Sequence, residues 1–320
     1  MSKAKYLVVV YQFGKVASTA LVKSLNASPE VDAHQSHFLG ENALQRMVLN
    51  ATDRSVNAYF RTHMVGQLIA NLNLTYEVNQ TKHGDDDREL KVISLSREPL
   101  DWLRSCVQQD ILGYRDDILA YAQNHCPANQ HGSIEHGLSA ILQRLTDVVE
   151  AKGGMPAILA EFKTRGGGQI LDVPGLPCDG IVRRVFFLAI RPLSWFDDHF
   201  ARCFGLGLAD VPKRGNHWMT RRNGATFVIL RYEDINAEFA SAMHSAGVPF
   251  SGRLVHANES QGKLHAMEIR AAFDGEAAQR LRHQVLQSDY ARHFGYAPDT
   301  DDGSCRAAPS KAETVSLSSP

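Results

Sequence analysis

The sequence predicts an α/β fold in a single domain, with a central parallel sheet flanked by helices. Apolar runs of strand length occur at residues 6–11, 91–95, 182–190 and 226–231. They lack the strict alternation of a half-exposed sheet, and such runs are typical of parallel strands covered on both faces. Segments of helical character separate the runs. A length of 320 residues is ample for one large buried core.

The first run is followed by a short loop and then by a predicted helix that ends before Pro29. Between strand and helix lie residues with anion-binding groups, namely Gly14, Lys15, Ala17, Ser18 and Thr19. Helix-start amides, two hydroxyls and one ammonium group would converge there, which predicts a site for phosphate or sulfate in a P-loop-like core. The plainer alternative is an ordinary helix cap made by Ser or Thr.

The loop does not fit a nucleoside triphosphatase. That motif needs a first glycine five residues before the second, and Val9 stands five residues before Gly14. A plain nucleoside triphosphatase is therefore disfavoured.

Residues 14–19 resemble the loop of sulfotransferases that use 3′-phosphoadenosine 5′-phosphosulfate (PAPS), particularly the carbohydrate sulfotransferases. The resemblance implies that Lys15 and the Ser-Thr pair hold the 5′-phosphosulfate. A second resemblance follows the run at 91–95, where Arg97 and Ser105 have the spacing of the family's 3′-phosphate-binding residues. A third is Tyr232, at the end of the run at 226–231, which by the same resemblance contacts the adenine.

The candidate general base is His63, because Thr62 and His63 resemble the segment that carries the catalytic histidine of cytosolic sulfotransferases. The alternative is a capping or core histidine, and fourteen histidines make a chance match easy. His34 and His37, after the first predicted helix, are the next candidates.

A segment from Trp195 to Gly205 resembles bacterial capsular polysaccharide synthesis proteins, which are themselves sulfotransferase-like. One feature of the cytosolic sulfotransferases has no clear counterpart. Their late Arg-Lys-Gly loop, which also grips the 3′-phosphate, is matched only weakly by residues 262–263.

These resemblances imply an enzyme that transfers a sulfuryl group from PAPS to a hydroxyl acceptor, such as a carbohydrate or polysaccharide precursor, without a metal. One alternative is a kinase-like nucleotide-binding protein, which would place a magnesium-binding Asp after a neighbouring strand. Ser96 and Arg97 stand at that position instead. The other alternative is a non-catalytic scaffold in polysaccharide assembly.

Composition restricts partners and location. A net charge of −1 argues against general nucleic-acid binding. The five scattered cysteines suggest neither a disulfide framework nor a zinc site. With no apolar run of membrane-spanning length and no signal-peptide cleavage site, we expect a cytoplasmic protein without stable membrane insertion. Residues 1–297 are predicted to form the sulfotransferase-like domain, and residues 298–320 a disordered tail.

Overall fold

The computed structural model of the chain describes residues 4–53, 58–164, 180–250, 252, 254 and 264–297. Within them the chain is α/β, with a six-stranded sheet in the order β2-β1-β3-β6-β5-β4. The strands are β1 (Tyr6–Tyr11), β2 (Val31–Ser36), β3 (Glu89–Ser96), β4 (Lys213–Arg214), β5 (His217–Arg222) and β6 (Ala225–Arg231). All six residues of β1 are buried, as its unbroken apolar run predicts.

The sheet is mixed, which corrects the prediction of a parallel sheet. Strands β2, β1, β3 and β6 are parallel, with Tyr6 opposite both Val31 and Glu89. Strands β5 and β4 run antiparallel at one edge. The cause is a two-residue turn between β5 and β6, where Asn223 and Gly224 have φ of 51° and 73°. This is the conformation that an Asn-Gly hairpin turn requires.

Helices flank the sheet and supply the rest of the core. They are α1 (Ser18–Leu25), α2 (Glu41–Thr52), α3 (Ala58–His83), α4 (Pro99–Gln109), α5 (Ile111–His125), α6 (Ile134–Ala151), α7 (Met155–Thr164), α8 (Gly180–Trp195), α9 (Ala201–Phe204), α10 (Ile235–Ala246), α11 (Ala266–Asp274), α12 (Glu276–Leu286) and α13 (Asp289–Phe294). A π-helical turn, Phe196–Phe200, joins α8 to α9.

The prediction of a strand at residues 182–190 is wrong, because these residues lie in α8. Val182, Val185 and Phe186 are buried, whereas Phe187 is largely exposed. That pattern has helical rather than strand periodicity, and an apolar run of this length does not distinguish a buried strand from a helix.

The carboxyl ends of the four parallel strands meet at one end of the sheet, which we call the carboxyl edge to distinguish it from the side formed by β4 and β5. Ligand sites of open α/β sheets lie at such an edge, and the loops that begin at Gln12, His37, Arg97 and Tyr232 all start there. No helix among the described residues is long and apolar enough to cross a membrane. Residues 262–263 and the predicted disordered tail at 298–320 lie outside the described residues.

Candidate functional site

The loop between β1 and α1 has an unusual backbone. Gly14, Lys15 and Ala17 all have left-handed φ values, of 91°, 55° and 64°. A left-handed conformation costs a non-glycine residue roughly 1–2 kcal/mol, so surrounding contacts must impose it on Lys15 and Ala17. Strain of this kind concentrates at functional sites.

Three side chains that follow β2 or β3 donate hydrogen bonds to backbone carbonyl oxygens of this loop. Trp102 Nε1 donates to the carbonyl oxygen of Gly14 at 2.7 Å, and Arg97 Nη1 donates to that of Lys15 at 2.6 Å. His37 Nδ1 donates to the carbonyl oxygen of Gln12 at 2.8 Å. Each of these three backbone carbonyl oxygens therefore accepts a hydrogen bond from a side chain that follows β2 or β3 in the chain.

The start of α1 offers unpaired donors. Ala17 precedes the helix and no side chain caps its first amides, which leaves these N–H groups available to an anion. Ser18 is buried, whereas Thr19 is exposed and its hydroxyl donates to Gln35 Oε1 at 3.4 Å. Gln12 is fully buried, and its Nε2 has no hydrogen-bond partner in the part of the chain that the structure describes. The loop therefore presents backbone and side-chain donors together.

Lys15 and Arg97 provide the positive charge at this loop. Lys15 Nζ lies 3.6 Å from Asp110 Oδ2, and both side chains are three-quarters buried. The Arg97 guanidinium lies 4.3 Å from the ring centroid of Tyr232. Tyr290 fixes the Arg97 backbone, because its hydroxyl accepts from the Arg97 amide at 2.9 Å and donates to the Arg97 carbonyl oxygen at 3.0 Å.

His37 is a neutral histidine beside these cations. Burial, together with the charges of Arg191 and Lys15, lowers the pKa of His37 to about 4, although the hydrogen bond to Gln12 opposes the shift. Because Nδ1 donates to that carbonyl, Nε2 carries the free lone pair. A Cβ built on Gly14 would lie 3.9 Å from Nε2, so the imidazole borders the loop directly.

Ser105 lies half-buried on α4, two turns beyond Arg97. Its neighbour Cys106 is buried, and burial raises the pKa of the Cys106 thiol to about 12, with the charge of Lys15 opposing the shift. The α4 segment at Ser105 thus lies near the positive charge of the loop. No described contact joins Ser105 to Arg97 itself.

His63 lies in the first two turns of α3. Asn71 of this helix contacts Ser36 at the carboxyl end of β2, whereas Glu77 lies close to Asp32 near the start of the strand. The helix therefore runs antiparallel to β2, and His63 lies about 12 Å beyond Asn71 along its axis. The backbone of His63 therefore lies beyond the end of the sheet at which the loop between β1 and α1 begins.

Several residues of the site were missed by sequence reasoning. Trp102 and Asp110 follow β3 on α4 and at its end, and Arg191 lies on α8, the helix mistaken for a strand. Tyr290 lies 193 residues from Arg97 in the chain. The Arg-Glu-Pro turn after β3 pointed to Arg97, but no local signal pairs it with a tyrosine in the last helix.

A separate group at the other end of β2 comprises Asp32, His34 and Glu77, whose potential ligand atoms lie within 4.8 Å of one another. The Arg88 guanidinium contacts Asp32 at 2.5 Å and Glu77 at 2.9 Å. An arginine already neutralises these carboxylates, so the group is best explained as an ion-pair network.

Comparisons with models of protein families, with curated proteins and with solved structures found no match to this chain. The chemistry of the site therefore rests on its own geometry. That geometry combines a strained donor-rich loop, two cations that converge on it, and a neutral histidine. Such an arrangement can bind a phosphorylated or sulfated group and accept a proton beside it.

Proposed function

We propose that the chain is a sulfotransferase that transfers the sulfuryl group of PAPS to a hydroxyl acceptor. The observation that carries the proposal is the hydrogen bond from Arg97 Nη1 to the Lys15 carbonyl oxygen, together with the stacking of Arg97 on Tyr232. Three segments that resemble separate sulfotransferase motifs thus converge, after β1, β3 and β6. The contacts of Arg97 with Lys15 and Tyr232 join the three segments directly, which supports a common ligand.

The donor would bind across this edge. The loop amides, Ser18 and Thr19 would hold the 5′-phosphate, and Lys15 would face the oxygen that joins phosphate to sulfate. Arg97, with Ser105 on the following helix, would bind the 3′-phosphate as the resemblance implies. The ring of Tyr232 offers the adenine an apolar contact beside the Arg97 guanidinium.

In the proposed reaction, the acceptor oxygen attacks sulfur while the bond from sulfur to the bridging oxygen breaks. The electron pair of that bond stays with the departing 3′-phosphoadenosine 5′-phosphate (PAP), and Lys15 stabilises the charge. A histidine takes the acceptor's proton. His63 is the residue that the motif resemblance indicates, and His37 is the histidine whose free nitrogen borders the loop. The acceptor, by the same resemblance, is a carbohydrate hydroxyl.

A kinase-like reaction with a magnesium nucleotide is a weaker alternative for this site. It would require a free carboxylate beyond β3, yet Glu98 accepts the Asp101 amide at 2.7 Å as the cap of α4. Burial also raises the pKa of Glu98, which disfavours the ionised form that a metal needs. A scaffold without activity, the other alternative, would bind the nucleotide but transfer no sulfate.

Calorimetry with PAP and ADP in the presence of a chelator tests the donor assignment. We expect PAP to bind at least about tenfold more tightly, the scale of one charged contact to the 3′-phosphate that ADP lacks. Arg97→Ala should abolish the preference. Arg104→Ala is the matched control, because Arg104 lies on α4, the helix that follows Arg97, and pairs with Asp101 at 3.3 Å. Equal affinities of the wild-type chain for PAP and ADP would refute the proposal.

A second measurement distinguishes an enzyme from a scaffold. Incubation with donor labelled in its sulfate, over a panel of sugar and small-molecule hydroxyl acceptors, should give labelled product in the wild type. Lys15→Ala should lose this transfer by at least about a hundredfold, since it removes the charge that stabilises the leaving group. Tight PAP binding without transfer to any acceptor would favour the scaffold.

A further inference from the structure

Helix α3 carries two apolar faces, of which only one is buried by the residues that the structure describes. Asn71, Leu74 and Val78 are buried against the sheet and α2. A second row of large apolar side chains is exposed, namely Val65 at 53%, Ile69 at 66%, Leu72 at 48% and Tyr76 at 65%. We call this row the α3 stripe. A helix that serves only to cover a sheet needs one apolar face.

The spacing of the α3 stripe is regular. Successive members lie four, three and four residues apart, which is the spacing of the core positions in helices that pack side by side. Between Arg61 and Glu77 the sequence has no Asp, Glu, Lys or Arg. An exposed helix face normally carries such charges for solvation, so this face has the composition of an interface core.

We propose that a second copy of this chain packs on the α3 stripe, so that the protein is a homodimer through α3. A two-fold contact presents the same patch on both copies, and an uncharged apolar row is complementary to itself. The row spans about 17 Å along the helix axis, and two copies packed along it would bury on the order of 1,000 Å² in total. That size is where specific interfaces begin.

Two other occupants fit less well. Helices that lie on membranes carry Lys and Arg on their polar face, and α3 has none between Arg61 and Lys82. The longest segment outside the described residues, 298–320, has Val315 and Leu317 as its only large aliphatic side chains and no aromatic one. This segment has fewer large apolar side chains than the four of the α3 stripe that it would have to cover.

Sedimentation equilibrium of the full chain from about 1 to 100 μM tests the proposal, with a dissociation constant expected in the micromolar range. Ile69→Glu should weaken the dimer at least about a hundredfold, because each copy would bury an unpaired charge. Ala70→Glu is the matched control, since it adds the same charge to an exposed position of α3 outside the stripe. Circular dichroism and PAP affinity should be unchanged in both variants, which separates this test from that of the proposed function.

A wild-type chain that stays monomeric throughout, or a dimer that Ile69→Glu leaves intact, would overturn the proposal. If Ile69→Glu fails to fold, Tyr76→Lys offers a second disruption at the end of the stripe. Flotation with phosphatidylcholine vesicles tests whether the α3 stripe binds a lipid surface instead of a second copy. Vesicle binding by a monomer, lost in the Ile69→Glu variant, would assign the stripe to a lipid surface and refute the dimer.

Discussion

At the scale of single residues, the charged groups around the loop are each restrained by a different partner. Lys15 faces the Asp110 carboxylate, Arg97 donates to a loop carbonyl and stacks on Tyr232, and His37 donates to another loop carbonyl. An anion that reaches Lys15 must compete with Asp110. The carboxylate therefore lowers the affinity of the site, although it holds the ammonium group near the loop.

Substitutions of this pair should change PAP affinity in opposite directions. Asp110→Asn should raise the affinity about two- to fivefold, the scale of a partly exposed ion pair, because Lys15 is then free of its internal competitor. Lys15→Ala should lower the affinity at least about tenfold. Calorimetry measures both effects, with Asp116→Asn as a control at an exposed carboxylate that pairs with Arg115 at 4.0 Å. Weaker binding by Asp110→Asn would instead mean that Asp110 positions Lys15 for the ligand.

A buried His37 base predicts a distinctive pH profile of sulfuryl transfer. Because burial lowers the pKa of His37 to about 4, a His37 base stays neutral and active from about pH 5 upward. An unperturbed histidine, with a pKa of about 6.5, would lose activity below about pH 6.5.

We expect the acid limb of kcat/KM near pH 4 and a loss of two to four orders of magnitude in the turnover of His37→Ala. His63→Ala is the reciprocal variant. Turnover lost in His63→Ala and kept in His37→Ala would restore His63 as the base.

At the scale of elements, the sequence predicted what local patterns encode. The structure has a strand, loop and helix around Lys15 where they were predicted, and a strand before Arg97. These strands were recognisable because buried parallel strands have continuous apolar sequences. Helix α8 was mistaken for a strand because a buried helix and a buried strand can have equally apolar sequences. The edge hairpin β5–β6 was missed, although its Asn-Gly pair is a recognised turn signal. The contacts of Asp110 and Tyr290 arise from packing, which leaves no local pattern.

The loop conformation itself is open to a test at Ala17, whose φ is 64°. Valine is strongly disfavoured there because it is β-branched. Ala17→Val should reduce the free energy of unfolding by about 1–2 kcal/mol and weaken PAP binding at least about tenfold, since the first amides of α1 would be misdirected. Ala17→Gly, which accepts the conformation without strain, should preserve both. Urea unfolding and calorimetry measure the two quantities, and wild-type binding by the valine variant would contradict the role of the loop.

At the scale of the whole molecule, tyrosines from α13 and the segment after it contact the residues that follow β3 and β6. The Tyr290 hydroxyl binds both backbone groups of Arg97, and the Tyr296 hydroxyl contacts Ser96 at 3.1 Å and Glu233 at 2.8 Å. Strands β1 and β3, which carry the loop and Arg97, are adjacent in the middle of the sheet. The C-terminal helices therefore support a site to which the first third of the chain contributes Lys15 and Arg97.

This arrangement predicts that the described chain melts as one cooperative unit and that the ligand stabilises all of it. Scanning calorimetry should give a single transition, raised by about 5 °C when PAP is present at roughly a hundred times its dissociation constant, because binding then contributes about 2.7 kcal/mol to the folded state. Tyr290→Phe removes the two hydrogen bonds to Arg97 and should lower both the melting temperature and the shift produced by PAP. Two transitions, of which PAP moves only one, would mean that the C-terminal helices fold independently of the site.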